Sequence, residues 1–66
     1  MSSNKLTDLK AFMMVFGFDN KTLATFVGVS PMAVHYWLTQ QREIPDTVIK
    51  TVRFFTNKPE LMNEYL

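Results

Sequence analysis

Apolar residues recur at three- and four-residue spacing along most of the chain, which predicts amphipathic helices. The first helix is predicted to begin near Leu6 after a frayed end, with Asn4 or Thr7 as its cap, and to stop at Gly17. The β-branched residues also lie at helical spacing, so we expect no strand. The inner positions of this first helix are Leu6, Leu9, Phe12, Met13 and Phe16.

Capping residues divide the next stretch into two helices. Asp19 is expected to cap a helix over residues 20–27, which Gly28 ends. Ser30 is expected to cap the following helix, over about residues 31–39, because Pro31 suits a first helical turn. The inner positions of these two helices are Leu23, Ala24, Val27, Val34, Trp37 and Leu38.

The last third of the chain predicts two more helices. Asp46 is expected to cap a fourth helix that stops at Asn57, and a short fifth helix is predicted over residues 60–65. The pattern therefore predicts an all-α fold, a compact bundle of four to five helices, with residues 1–66 forming a single domain. The inner positions of the fourth helix are Val48, Ile49, Val52 and Phe55.

The composition narrows the kinds of site that the chain can hold. With 66 residues, no cysteine and one histidine, it has no disulfide and cannot assemble a structural zinc site, so we expect no metal and no cofactor. No segment is apolar and long enough for a membrane span, and no signal peptide precedes the first helix, so we expect a cytoplasmic protein. The net charge of +1 is small, so charge alone does not indicate a nucleic-acid-binding protein.

The sequence lacks the usual combinations of catalytic groups. Ser30 and His35 have no third partner for a nucleophilic triad, and the acidic residues fall at caps and loops rather than in apolar settings. Gly17 and Gly28 do not form a glycine-rich phosphate loop. We therefore do not expect an enzyme.

The segment over residues 19–46 carries the most informative pattern. Ala24 is small where two helices would cross, Gly28 permits a positive backbone φ in the turn, and Val29 fills the space between the helices. This pattern resembles the helix-turn-helix of the phage repressor and Cro-type family, including its Cro-like, antitoxin-like and anti-CRISPR-associated members. The resemblance implies a lambda-repressor-like bundle with its helix-turn-helix at about residues 19–39. The matching residues are Leu23-Ala24, Val27-Gly28-Val29-Ser30, Val34, Trp37 and Ile44-Pro45.

The sequence departs from the family pattern at two places. An acidic residue or a glycine often follows the tryptophan in the family, whereas Leu38 and Gln40 stand there in this chain. The presumed reading face begins with Pro31 and Met32 in place of the more usual polar pair. These departures bear on how DNA would be read.

A recognition helix presents to the major groove the side chains that are not on its inner stripe. His35 can hydrogen-bond to guanine or a phosphate, Tyr36 can lie against the sugar–phosphate backbone, and Met32 can pack on a thymine methyl group. None of them reads guanine as arginine does, so more of the specificity is expected from apolar contact and DNA shape. The predicted base-reading residues are Pro31, Met32, Ala33, His35 and Tyr36.

Contacts to DNA phosphates are expected from helix N-termini and from polar groups around the reading helix. Most of these groups are neutral, which predicts a shallow salt dependence. The predicted phosphate-contacting residues are Asn20, Lys21, Ser30, Thr39, Gln40, Gln41 and Arg42.

The end of the chain is unusually apolar. A second copy of the chain would cover this surface, and repressors of this type bind two-fold sites as dimers. The alternative is a monomer whose tail folds back to complete the core. The predicted dimer interface, within residues 54–66, consists of Phe54, Leu61, Met62, Tyr65 and Leu66.

The sequence thus favours a dimeric, sequence-specific repressor of phage or prophage type that binds an inverted-repeat operator in double-stranded DNA, without a small-molecule ligand. An activator of the same class fits the sequence equally well. The alternative is a protein-interaction module, such as an antirepressor or a phage inhibitor of a host protein. The low net charge and the apolar Pro31-Met32 pair favour that alternative.

Overall fold

The computed structural model describes residues 2–64, with side chains from Lys5 onward. Between these limits the chain contains helices and turns and no strand, so the predicted all-α fold class is confirmed. The four α-helices are α1 (Ser2–Phe16), α2 (Asn20–Val27), α3 (Pro31–Leu38) and α4 (Asp46–Asn57), and a terminal 3₁₀ helix covers Pro59–Glu64.

The helix α1 begins earlier than the sequence predicted. Its backbone is helical from Ser2, so Asn4 and Thr7 lie within the helix and neither is the cap. The predicted frayed end is wrong at Lys5, because its ammonium group donates to Asp46 Oδ1 at 2.7 Å and to the carbonyl oxygen of Ile44 at 3.2 Å. Tertiary contacts therefore hold the start of α1.

The start of α4 also differs from the prediction. Pro45 is the N-cap, with no side-chain cap hydrogen bond, and Asp46 is the first helical residue. The Asp46 carboxylate accepts from Lys5 instead of from the amides of its own helix, and Glu43 Oε2 lies 3.3 Å from the same Lys5 Nζ. An acidic group in this first turn still interacts favourably with the helix dipole.

The helices α1 and α2 end as predicted, at glycines with positive φ. Gly17 has a φ of 69° and Gly28 a φ of 80°. Beyond Gly17, the amide of Phe18 donates to the carbonyl of Met13 at 2.8 Å, which is the bond that closes a Schellman turn. Phe18, which the sequence analysis did not assign to the core, is buried by this turn.

The inner stripes of the helices meet in one apolar core. The Lys5–Asp46 and Asp8–Arg53 ion pairs show that α1 and α4 lie side by side with their N-termini together. Each fully buried large apolar side chain contributes about 1.5–3 kcal/mol relative to an exposed one. The buried residues are Leu9, Phe12, Phe18, Leu23, Ala24, Val34, Trp37, Ile44, Val48, Ile49, Val52, Phe55 and Met62.

An aromatic cluster joins α2 to the rest of the core. The ring centroid of Phe26 on α2 lies 5.8 Å from that of Phe12, 5.6 Å from that of Phe18 and 5.4 Å from that of Phe55. Edge and tilted pairs of this kind add about 0.5–1.5 kcal/mol each beyond their buried area. The cluster therefore fixes α2 against α1 and α4.

The last predicted helix is a 3₁₀ helix instead of an α-helix. It packs on α4 and buries Met62, which is 1% exposed. The radius of gyration of 11.0 Å matches the ~11 Å expected for a compact chain of this length. None of the helices in the described part is long and apolar enough to cross a membrane.

The Lys5–Asp46 pair predicts a specific acid response. The hydrogen bond from Lys5 lowers the pKa of Asp46, and the hydrogen bond to Asp46 raises the pKa of Lys5. Because the folded pKa of Asp46 lies below its unfolded value, its contribution to stability is present above the ordinary carboxyl pKa of about 3.9 and is lost as the pH falls through the folded pKa. Asp46→Asn should therefore flatten the fall of unfolding free energy on acidification, measured by urea denaturation from pH 6 downward.

The matched variant is Lys5→Gln, which removes the donor but leaves the carboxyl. It should also flatten the acid response, but by less, because Lys50 and Arg53 still lower the pKa of Asp46. Combining the two substitutions should have less effect than the sum of their separate effects. Independent, additive effects of the two substitutions would contradict this assignment.

Candidate nucleic-acid interface

The helix α2 is capped as the sequence predicted. Asp19 Oδ1 accepts from the amide of Thr22 at 2.7 Å, and this backbone hydrogen bond is the main reason that the pKa of Asp19 lies below its usual value. Asn20 and Lys21 follow in the first turn, where Lys21 is exposed and Asn20 is half-buried. The start of α2 therefore presents the Asp19 carboxylate, the Lys21 cation and the Asn20 amide side chain beside the helix N-terminus.

The helix α3 is also capped as predicted. Ser30 has an extended backbone, and its Oγ accepts from the amide of Ala33 at 3.2 Å, while Pro31 occupies the first helical turn. The N-terminal end of α3 is exposed at Ser30, Pro31 and Met32. This end of the helix is thus ordered by its cap and is open to solvent.

The helices α2 and α3, joined by the turn over residues 28–30, form the most extensive helix–helix contact in the described part of the chain. Ala24, Val34 and Trp37 are buried in the core, and Val29 in the turn is half-buried against it. The interpretation of Trp37 as a core residue is confirmed. This packing buries one face of α3.

The predicted base-reading residues separate into two groups. Pro31, Met32 and His35 are exposed, with Met32 at 55%. Ala33 is half-buried against the core, and Tyr36 is half-buried as well. The outward face of α3 is therefore made mainly by the first group.

Tyr36 and Arg42 form a cation–π pair. The guanidinium carbon of Arg42 lies 4.9 Å from the centroid of the Tyr36 ring, and the amide of Arg42 donates to the carbonyl of Tyr36 at 3.2 Å. The ring of His35 lies 6.0 Å from that of Tyr36. This contact holds the Arg42 side chain against α3, so its guanidinium group does not extend freely into solvent.

A Schellman turn ends α3 without a glycine. Gln40 has a φ of 63°, its amide donates to Trp37 at 3.1 Å, and the amide of Gln41 donates to Tyr36 at 2.8 Å. The left-handed conformation costs a residue with a Cβ about 1–2 kcal/mol. A glycine would adopt this conformation without that cost, but this chain has Gln40 here.

Some of the polar side chains after α3 form hydrogen bonds within the chain. Thr39 Oγ1 donates to the carbonyl of His35 at 2.9 Å, and Gln41 Nε2 donates to Thr39 Oγ1 at 3.0 Å. Thr39, Gln40, Gln41 and Arg42 are all exposed. The predicted phosphate-contacting residues thus lie at the N-terminal ends of α2 and α3 and around the C-terminal end of α3.

A surface cleft adjoins the end of α3. It has a volume of about 200 Å³ and is lined by Lys5, Leu6, Trp37, Gln40, Arg42, Glu43 and Ile44. Lys5 is paired with Glu43 and Asp46, and Arg42 is the other cation of the lining. No group of three or more potential metal ligands occurs in the described part of the chain.

The residues of the predicted dimer interface have different surroundings. Phe54 is 48% exposed and Leu61 is half-buried against the core. Met62 must be removed from the interface, because it packs in the core of its own chain and offers almost no surface to a partner. Tyr65 and Leu66 lie outside the described residues.

One exposed apolar surface, on α1, was not predicted from the sequence. Met14 is 82% exposed and Val15 is 66% exposed, and the neighbouring Ala11 is exposed as well. All three lie off the inner stripe of α1, so their helical positions were the signal that could have identified them.

Comparison of the chain with protein-family models, with curated proteins and with solved structures finds no match.

The Ser30 cap gives a prediction about the stability of this site. Ser30→Ala should lower the free energy of unfolding by about 1 kcal/mol, because the amide of Ala33 loses its side-chain acceptor and keeps only the carbonyl oxygen of Ser30, at 3.0 Å. Ser30→Asp should preserve stability, since aspartate caps as well as serine does. Urea denaturation followed by circular dichroism measures both variants. Equal losses in the two variants would contradict a capping role for Ser30.

Proposed function

We propose that the chain is a sequence-specific DNA-binding transcriptional regulator that inserts α3 into the major groove. The observation that carries this proposal is the division of α3 into two faces. Val34 and Trp37 anchor one face on α2 and the core, and Met32 and His35 project from the other. Helix-turn-helix proteins use a pair of packed helices whose second helix is exposed on one side, so this arrangement supports the proposal.

The ends of the helices support binding to the phosphate backbone. The N-terminus of α2 is partly neutralised by the Asp19 carboxylate that caps it, whereas the N-terminus of α3, capped by a neutral serine, keeps the partial positive charge that favours anions. Lys21 stands at the first of these ends, and Arg42 lies on Tyr36 at the other end of α3. With so few cations, the logarithm of affinity should fall only gently with the logarithm of salt concentration, by about 0.9 for each neutralised phosphate.

The proposed regulator acts as a homodimer on an inverted repeat. Two-fold proteins read two half-sites about 34 Å apart, one helical turn of DNA. Phe54 is the most exposed aromatic residue of the predicted interface in the described part, and Leu61 adds a half-buried aliphatic group. The resemblance to phage repressors favours a repressor of phage or prophage origin.

A second candidate function is a protein-interaction module, and one observation favours it. Met14 and Val15 expose an apolar surface on α1 that the DNA-binding proposal leaves unused. Two results together would favour this candidate. The wild-type protein would bind an identified host protein that Met14→Glu does not bind, and the wild-type protein would bind no DNA duplex.

Arg42 provides the test of the DNA-binding proposal. Duplexes are first selected by the wild-type protein from a random-sequence library, and binding is then measured by fluorescence anisotropy at several salt concentrations. Arg42→Gln should weaken binding to the selected and to a scrambled duplex by similar factors, and should reduce the salt slope by about 1, because one phosphate contact is lost.

The matched control is Lys10→Gln, which removes one positive charge from the exposed part of α1, outside both the candidate nucleic-acid interface and the predicted dimer interface. It should leave the salt slope unchanged. A wild-type protein that selects no sequence would overturn the proposed function, and equal slopes for the two variants would show that Arg42 is only a solvated charge.

Phe54 provides the test of the proposed dimer. Phe54→Glu should shift the wild-type species from twice the 7.7 kDa mass of one chain to that mass, because a charge replaces the apolar contact. Met14→Glu, on the other exposed apolar surface, should leave the dimer intact. Sedimentation velocity distinguishes these results. A dimer broken by Met14→Glu and retained by Phe54→Glu would place the interface on α1 instead.

A further inference from the structure

We propose that α3 selects its DNA sites chiefly through the C5-methyl groups of thymine, an inference that rests on the proposed function. The exposed face of α3 is apolar at its N-terminal end, with Pro31 and Met32 open to solvent and Ala33 half-buried beside them. In helix-turn-helix proteins, this end of the reading helix is the part that reaches the base edges.

The hydrogen-bonding capacity of α3 is small. Its sequence, PMAVHYWL, contains no Arg, Lys, Asn, Gln, Asp or Glu, which are the side chains that pair with base edges in the strongest contacts. The side-chain donors and acceptors that remain toward solvent are the imidazole of His35 and the phenol of Tyr36. Tyr36 is half-buried and carries Arg42 on its ring.

Three of the polar residues next to α3 form hydrogen bonds within the chain, and Gln40 and Arg42 lie beyond its C-terminal end, away from the end that reaches the base edges. Ser30 Oγ accepts from the amide of Ala33, and Thr39 Oγ1 donates to a carbonyl of the same helix. Gln41 Nε2 donates to Thr39. Met32 is the largest exposed apolar side chain of the reading surface.

The major groove offers only one apolar feature to such a surface, the methyl group of thymine. The unbranched thioether of Met32 can adapt its shape to that methyl group. The same side chain set against the amino or carbonyl edge of a G·C pair would cover a polar group without replacing its hydrogen bond to water, which is unfavourable. The surface therefore favours thymine by attraction and disfavours G·C pairs by desolvation.

Replacement of thymine by uracil tests this inference on the wild-type protein, so no variant has to fold. The probe is the duplex selected from the random library, with each thymine in turn changed to uracil, which removes only the methyl group. Affinity should fall about fourfold for each methyl group that Met32 covers, the equivalent of one buried CH₂. Thymines outside the contacted positions should show no change.

Two variants then assign the effect to Met32. Met32→Gln should bind the thymine and uracil duplexes equally, because its amide does not depend on a methyl contact. His35→Ala, the matched control on the same face, should keep the thymine preference while binding more weakly. Circular dichroism verifies that both variants remain helical.

The outcomes separate this inference from the function on which it rests. A selected duplex that binds equally with thymine and with uracil at every position would overturn the inference and leave the DNA-binding proposal standing. A thymine preference that survives in Met32→Gln would overturn the role of Met32. Failure of the wild-type protein to bind any duplex would overturn both proposals, and would favour a protein surface as the partner of α3.

Discussion

The packing of α3 against α2 and the core is the constraint on which the rest of this molecule depends. Helix α3 has only eight residues, and isolated helices of that length are unstable in water. Ala24 is small enough for a close approach, and Val34 and Trp37 bury one side of α3. That burial orders the helix and also determines which side chains remain in solvent. The outward face is thus a direct consequence of the inward one.

The helices α1 and α4 provide the rigid support for this pair. The ion pairs Lys5–Asp46 and Asp8–Arg53 join the two helices near their N-terminal ends and along their length. Both pairs are partly exposed and contribute little to stability by themselves. The apolar core and the phenylalanine cluster around Phe26 supply most of the stabilisation, and the ion pairs join the two helices at the surface.

Local chemistry made the helix ends around the candidate site predictable. The caps and the turn at Asp19, Ser30 and Gly28 depend only on backbone groups a few residues away, so the local sequence was enough to predict them. The start of α1 and the burial of Met62 depend on tertiary contacts that no local pattern encodes. The residues of the candidate interface could be named from helical periodicity, but the cation–π pair of Arg42 and Tyr36 could not. It depends on the left-handed turn at Gln40, which reverses the chain.

That turn also bears on how a chain of nearly neutral charge could hold DNA. Glycine adopts the left-handed conformation without the strain that a Cβ imposes, whereas Gln40 accepts that strain and places an amide side chain at the exposed end of α3. An amide can hydrogen-bond to a phosphate oxygen without releasing counterions, so it adds positioning and little salt dependence. Beside it, Arg42 is restrained by Tyr36 and loses less side-chain entropy on binding than a free arginine would. Neutral hydrogen bonders and one restrained cation would then set the register on the backbone, and the apolar start of α3 would discriminate between sequences.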